Sequence, residues 1–254
     1  MSSGHHHNLF IPGSTVVHRL APEVKLVAVF AFVIAVAVTP RRSIGSFAVD
    51  AAVVVVLFAL ARLGPRTVLS RLAVVVPFVS FAVLIPFIAG GPETEVLGVS
   101  VSTEGLWGTW NILAKAVLGT SASIILTSTT PVAEILKGLS RLRAPAIIVA
   151  IMSFMFRYLD LIVDEMRRMR IAMTARAHDP RWLWQAKPIA TGAGAMFVRS
   201  YERGERVHQA MQSRGFTGTM PRLDTRSASM REWCAAAIAP IVAIISLIAG
   251  FALT

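Results

Sequence analysis

Five apolar runs set the terms for this chain. Residues 24–39, 44–61, 72–89, 105–127 and 235–253 each approach the length that crosses a bilayer, about 20 residues with a range near 17–25. Within lipid a backbone must satisfy its own hydrogen bonds, so such runs fold as helices. Composition agrees: 55% of the 254 residues are hydrophobic and 15% are charged, against about 25% charged in a soluble domain. A disordered chain, a disulfide scaffold (Cys234 is the single cysteine) and a soluble enzyme of ordinary make-up are excluded. The fold class is therefore an all-α polytopic membrane protein with about five transmembrane helices. Pro77, Pro86 and Pro240 fall inside the runs, where bilayer helices tolerate them. No basic stretch leads into a short apolar core at the N-terminus, so no secretory leader is expected.

Charge gives the orientation. Lys and Arg number 25 against 14 Asp and Glu, a net charge of +11. In so apolar a chain that excess belongs to one face of a bilayer rather than to nucleic acid. Arg62, Arg66 and Arg71 follow the second run, whereas residues 90–104 carry Glu93, Glu95 and Glu104 and no cation. The positive-inside rule then places the protein in the cell membrane with its N-terminus in the cytoplasm. Arg41 and Arg42 fall outside and run against the rule. Between residues 131 and 232 lie 17 of the 25 cations and 9 of the 14 acids. Residues 144–163 within that stretch are apolar enough to span. A full crossing, however, would strand the cations beyond them outside and bury Arg157 and Asp160 in lipid, which is costly. We therefore read 144–163 as a helix lying at or dipping into the inner leaflet. The organisation is a cytoplasmic tail (1–23), a four-helix transmembrane region (24–130), a cytoplasmic or inner-leaflet helical region (131–232) and a C-terminal transmembrane helix (233–254).

Two long helices are expected in the third region. Ile148, Met152, Met155, Leu159, Ile162, Met166, Met169 and Met173 recur at alternating spacings of four and three, a helical seam. Its many methionines suit either a buried packing stripe or a surface that repacks against a partner. A second seam from about residue 189 to 213 runs through Ala193, Phe197, Ser200, Gly204, Val207 and Met211. Its small middle residues predict a helix crossing near Gly204.

The two helices end alike. Ala172-Met173-Thr174-Ala175-Arg176-Ala177 and Ala210-Met211-Gln212-Ser213-Arg214-Gly215 stand 38 residues apart. Each arginine follows its seam's last methionine by three positions, so it is expected to continue the same helix face. Pro180 and Gly215 are ordinary helix terminators. A permanently charged guanidinium flanked by small side chains, at a helix end whose dipole favours a cation, is built to enter a carboxylate-bearing groove. A lone arginine there is usually just solvated. A matched pair implies a partner with two equivalent sockets, a dimer or pseudo-dimer.

With these residues the chain resembles the transmembrane T component of energy-coupling-factor (ECF) transporters, the EcfT/CbiQ family, whose signature is two short Ala-Arg-Gly motifs ending long cytoplasmic coupling helices. Here they read Ala175-Arg176-Ala177 and Ser213-Arg214-Gly215. The entry His18-Arg19-Leu20-Ala21-Pro22-Glu23-Val24-Lys25-Leu26 is similar to the family's H-R-L-D-P-x-x-K-L. Thr129-Thr130-Pro131 and Phe156-Arg157-Tyr158 also resemble it, so the likeness covers about residues 15–222. Two positions depart: Ala177 stands where glycine is usual and Ser213 where alanine is usual. If that glycine is a left-handed cap, alanine costs about 1 kcal/mol; otherwise the helix runs on toward Asp179.

The resemblance implies a coupling subunit that neither binds the transported solute nor hydrolyses ATP. Two ABC ATPase subunits, holding ATP and Mg²⁺, would take the arginine tips into acidic grooves. A small membrane S component would capture a vitamin, cobalt or nickel, facing the seam of Met152, Met155, Leu159, Ile162, Met166, Met169, Met173, Gly204 and Met211. No cofactor, metal or catalytic residue is expected on this chain. Independently, the sequence contains no Gly-Lys pair and hence no G-x-x-x-x-G-K-[ST] phosphate loop.

Asp50 and Lys115 lie within apolar runs, where they would pair with each other, snorkel, or line a path. Trp107, Trp110, Trp182 and Trp184 read as interfacial anchors. The hydroxyls of Thr120, Ser121, Ser123, Thr127 and Ser128 read as helix-packing contacts. Arg157–Asp160 and Asp164–Arg168 are spaced to pair along the first long helix. The His5–His7 triplet is a polar tail or a metal-binding scrap, and the remaining histidines lack zinc spacing. The principal rival is a self-contained permease or channel using Asp50, Lys115 and Arg157. A membrane transferase would need clustered aspartates for Mg²⁺, and Asp160/Asp164 stand beside neutralising arginines.

Overall fold

Helix-initiating prolines and unbroken apolar stretches set the element order. The computed structural model describes residues 10–90, 92–96, 99–176, 187–218 and 227–252. Its helices are α1 (Val16–Arg19), α2 (Pro22–Val38), α3 (Ile44–Leu60), α4 (Pro65–Leu72), α5 (Val76–Ile88), α6 (Thr103–Thr129), α7 (Val132–Arg141), α8 (Ala146–Ala175), α9 (Lys187–Gln212) and α10 (Met230–Ala252). Pro22 and Pro65 occupy first-turn positions, where their missing N–H has no helical partner to lose. A 3₁₀ turn, Ala73–Val75, joins α4 to α5. The linker after α5 holds an antiparallel hairpin of β1 (Glu93–Val96) and β2 (Val99–Ser102), with Glu93 opposite Ser102.

Four helical stretches are long and apolar enough to cross a membrane: Pro65–Ile88, Thr103–Thr129, Ala146–Ala175 and Met230–Ala252. The multi-pass, helical character read from the sequence is what the described residues have, with the one hairpin beside the helices. Helix α8 belongs to this set on length and composition, although its charges argued for a shallow position. Helices α2 and α3 have 17 residues each, roughly 26 Å at 1.5 Å per residue.

The chain divides into two compact units, Arg143–Thr225 and His7–Leu142 with Arg226–Thr254. In the second, Phe32, Ala35 and Val36 of α2, Phe47 and Val54 of α3, Leu118, Ala122 and Ile125 of α6 and Ala243 of α10 form the core. Phe30, Ile34, Val55, Phe81, Ile238 and Ile248 point outward, an apolar exterior suited to lipid. Helices α3 and α10 meet through small residues: Ser46 Oγ donates to Ser246 O at 2.7 Å and Ser43 Oγ to Gly250 O at 3.1 Å. A side chain at Gly250 would press within 2.7 Å of Ser46 Oγ.

Asp50 and Lys115 do not pair. Asp50 is fully buried and accepts from Ser246 Oγ at 3.1 Å, whereas Lys115 Nζ donates to Ala37 O of α2 at 2.7 Å. They face different neighbours, α10 and α2, and each meets a group at hand. Among the hydroxyls of α6, Ser123 donates to Gly119 O and Thr127 to Ser123 O of their own helix, whereas Ser128 Oγ accepts from Arg71 of α4. Trp110 stands edge-on to Phe47, ring centroids 6.3 Å apart. Arg41 and Arg42, the exceptions to the charge rule, both pair with Glu104 at the start of α6, at 2.7 and 3.1 Å. Local neutralisation of this kind weakens their vote on orientation.

Candidate functional site

The unit Arg143–Thr225 contributes α8 and α9, and neither has a fully buried residue. Contacts between them run in antiparallel order. Near the end of α8, a Cβ at Gly192 would lie 2.5 Å from Met169 Sδ and 3.0 Å from Met173 Cε. In the middle, Glu165 accepts from Arg199 at 2.7 Å and lies 3.5 Å from Arg203. Toward the start of α8, Phe154, Tyr158 and Ile162 share an open cavity of about 250 Å³ with Val207, Met211 and Phe216. Because 38 residues separate the arginines in sequence and the helices run oppositely, Arg176 and Arg214 stand at opposite ends of the pair. Helix rise puts them on the order of 35 Å apart.

The two tips share one backbone hydrogen bond. Arg176 donates its N–H to Met173 O at 3.1 Å, and Arg214 donates its N–H to Met211 O at 3.0 Å. Each arginine thus sits just past its helix, in a tightened last turn, rather than continuing the seam as expected. Both are exposed and form no ion pair with a described residue. At the second tip Gly215 N–H reaches Gln212 O at 2.9 Å, and Phe216 N–H reaches Met211 O at 3.0 Å. With Gly215 at φ +81°, this is a Schellman cap, and Phe216 folds back beside Met211 as that cap favours. The glycine is therefore required there. Ser213 Oγ donates to Ala210 O at 3.0 Å, so serine fits where alanine is usual. Ala177, Asp179, Pro180, Trp182, Trp184 and His5–His7 lie outside the described residues.

The seams are brought together only in part. Met169 and Met173 pack on α9, and Ile162 and Met211 line the cavity, while Met155 and Met166 are exposed and Met152 and Leu159 half-buried. On α9 the half-buried positions are Gly192, Met196, Ser200, Arg203, Val207 and Met211. Gly204 has open space where a Cβ would go, so the close approach is at Gly192, not at Gly204. A strict 3.5-residue seam drifts away from a straight helix of 3.6 residues per turn, which moves the contact by one residue at its far end. The expected Arg157–Asp160 and Asp164–Arg168 pairs are not formed within salt-bridge distance; Glu165 pairs across to α9 instead. That lock went unseen because no spacing within one helix signals a partner on another.

A model of the cobalt transport protein family, CbiQ, matches residues 13–225. Among curated proteins, the energy-coupling factor transporter transmembrane protein EcfT of Bacillus selenitireducens is 29% identical over 228 residues, 82% of each chain. The cobalt transport protein CbiQ of Rhodobacter capsulatus is 27% identical over 197 residues, 77% of this chain and 79% of that one. A putative fused cobalt transport protein CbiMQ of Methanocorpusculum labreanum is 25% identical over 169 residues, 63% of this chain and 28% of its own.

Proposed function

The chain belongs to the cobalt transport protein family CbiQ, the EcfT/CbiQ membrane components of transporters, and from that premise we propose that it is the coupling subunit of an ECF-type importer. It passes ATP-driven motion of two ABC ATPase subunits to a small S component that binds a vitamin, cobalt or nickel. The observation that carries this reading is the pair of exposed arginine tips, each closing its helix with an N–H bond three residues back and set at opposite ends of an antiparallel helix pair. One ATPase subunit per tip makes a pseudo-symmetric assembly. ATP and Mg²⁺ reside on those partners, and this chain performs no catalysis and holds no cofactor. Residues 143–225 work at the cytoplasmic face, with the N-terminus on the same side of the cell membrane.

Helices α8 and α9, without a buried residue, leave apolar faces uncovered, and such faces find partners. The exposed Met155 and Met166, with Ile148, form the part of the seam open to the S component. Methionine there allows a sliding contact. Met169 and Met173 serve the α8–α9 contact instead. A Glu substitution at both tips, Arg176→Glu with Arg214→Glu, turns attraction for acidic sockets into repulsion. The expected result is a folded membrane protein that no longer co-purifies with the ATPase subunits and supports no ATP-driven uptake; undiminished uptake would refute coupling through the tips. Transport by the purified chain alone in liposomes would favour the permease reading.

A further inference from the structure

Residues 143–225 leave the spanning unit after Leu142 and return to it at Arg226, and both junctions meet one side chain. Glu23, in the first turn of α2, is only 5% exposed. Its two carboxylate oxygens accept from Arg141 Nη1 at 3.0 and 3.1 Å, and Oε1 also accepts the backbone N–H of Ala228 at 3.2 Å. Arg141 is the last residue of α7, two before the exit. Ala228 follows the return by two.

Helix α7 is itself fixed to α2. A Cβ at Gly138 would lie 2.9 Å from Glu23 N and 3.0 Å from Pro22 C, so only glycine lets the two backbones approach this closely. At its other end, Lys25 Nζ donates to His18 O, Thr129 O and Thr130 Oγ1, each at 3.1 Å. These bonds hold the turn from which α7 starts. A buried carboxylate is tolerated only when its lone pairs are filled. Here donors from two separate segments fill them, so loosening either segment weakens the hold on the other.

We propose that Glu23 is a positioning residue that fixes both ends of the coupling segment to one point of the spanning unit. Force applied at the arginine tips then moves that segment about a fixed root instead of drawing its two ends apart. The proposal rests on the coupling reading of residues 143–225. It gives Glu23 a role distinct from that of the tips, which grip the ATPase subunits.

Two variants separate the ties. Glu23→Gln keeps an oxygen for the Ala228 N–H but loses the charge that binds Arg141, whereas Glu23→Ala loses both. Amide hydrogen exchange on the full chain in lipid nanodiscs reads them. Exchange should rise about tenfold in both 139–142 and 228–230 for Glu23→Ala, the scale of a lost charge-assisted bond, and only in 139–142 for Glu23→Gln. In the complete transporter, Glu23→Ala should lower solute moved per ATP hydrolysed by about threefold or more, with subunit composition and ATP hydrolysis kept. Unchanged exchange near Ala228, or an unchanged ratio with both junctions loosened, would overturn the proposal. Should Glu23→Ala not fold, Glu23→Gln carries the test: a ratio equal to that of the parent protein overturns it, and a lowered ratio with unaltered solute affinity supports it. Failure of the parent chain to bind ATPase subunits would instead sink the coupling reading and leave the exchange results standing.

Discussion

Gly215 and Gly204 look interchangeable in the sequence, yet they do opposite things. Gly215 sits at φ +81° and closes the cap that presents Arg214, whereas Gly204 lies in mid-helix with open space around it. Gly215→Ala should cost about 1 kcal/mol through the left-handed backbone, read as roughly fivefold faster amide exchange at residues 215 and 216. Gly204→Ala should stabilise α9 by up to about 1 kcal/mol, read as slower exchange along its last three turns. Equal effects of the two substitutions would contradict the cap. The arginines themselves were legible from residue type and repetition. Their placement past the helix end was not, because seam periodicity does not say where a helix stops.

At the scale of the element, the antiparallel order of α8 and α9 decides what the arginine pair can reach. Met173→Cys and Gly192→Cys, in a Cys234→Ser background, should cross-link readily with a short bis-maleimide, since Met173 lies against Gly192. Met173→Cys with Gln209→Cys should not; the reverse pattern would mean a parallel pair and neighbouring tips. The helices were readable because apolar periodicity and terminators are local properties. Which faces meet was not, since the small-residue stretch around Gly192 offers several registers and only packing against Met169 and Met173 selects one. The Glu165–Arg199 pair, on a half-exposed arginine, contributes about 0.2–1 kcal/mol and sets register more than stability. The hairpin of β1 and β2 escaped notice for a related reason: two four-residue strands carry too few alternations to stand out from a loop.

For the whole molecule, the sequence pattern conveyed a bundle of spanning helices and a cation-rich insertion. The division at residues 142/143 and 225/226 emerged only from packing, with α7 fastened to α2 through Gly138 and Glu23. Family membership makes this a transporter's membrane component; the proposed coupling role requires its two arginine tips to lie on the cytoplasmic side. Sidedness tests that claim most directly. With Cys234→Ser and Ser213→Cys, a membrane-impermeant maleimide should leave intact cells unlabelled and label residue 213 once the membrane is opened. Full labelling of intact cells would place the prongs outside, away from any ATPase, and contradict the account.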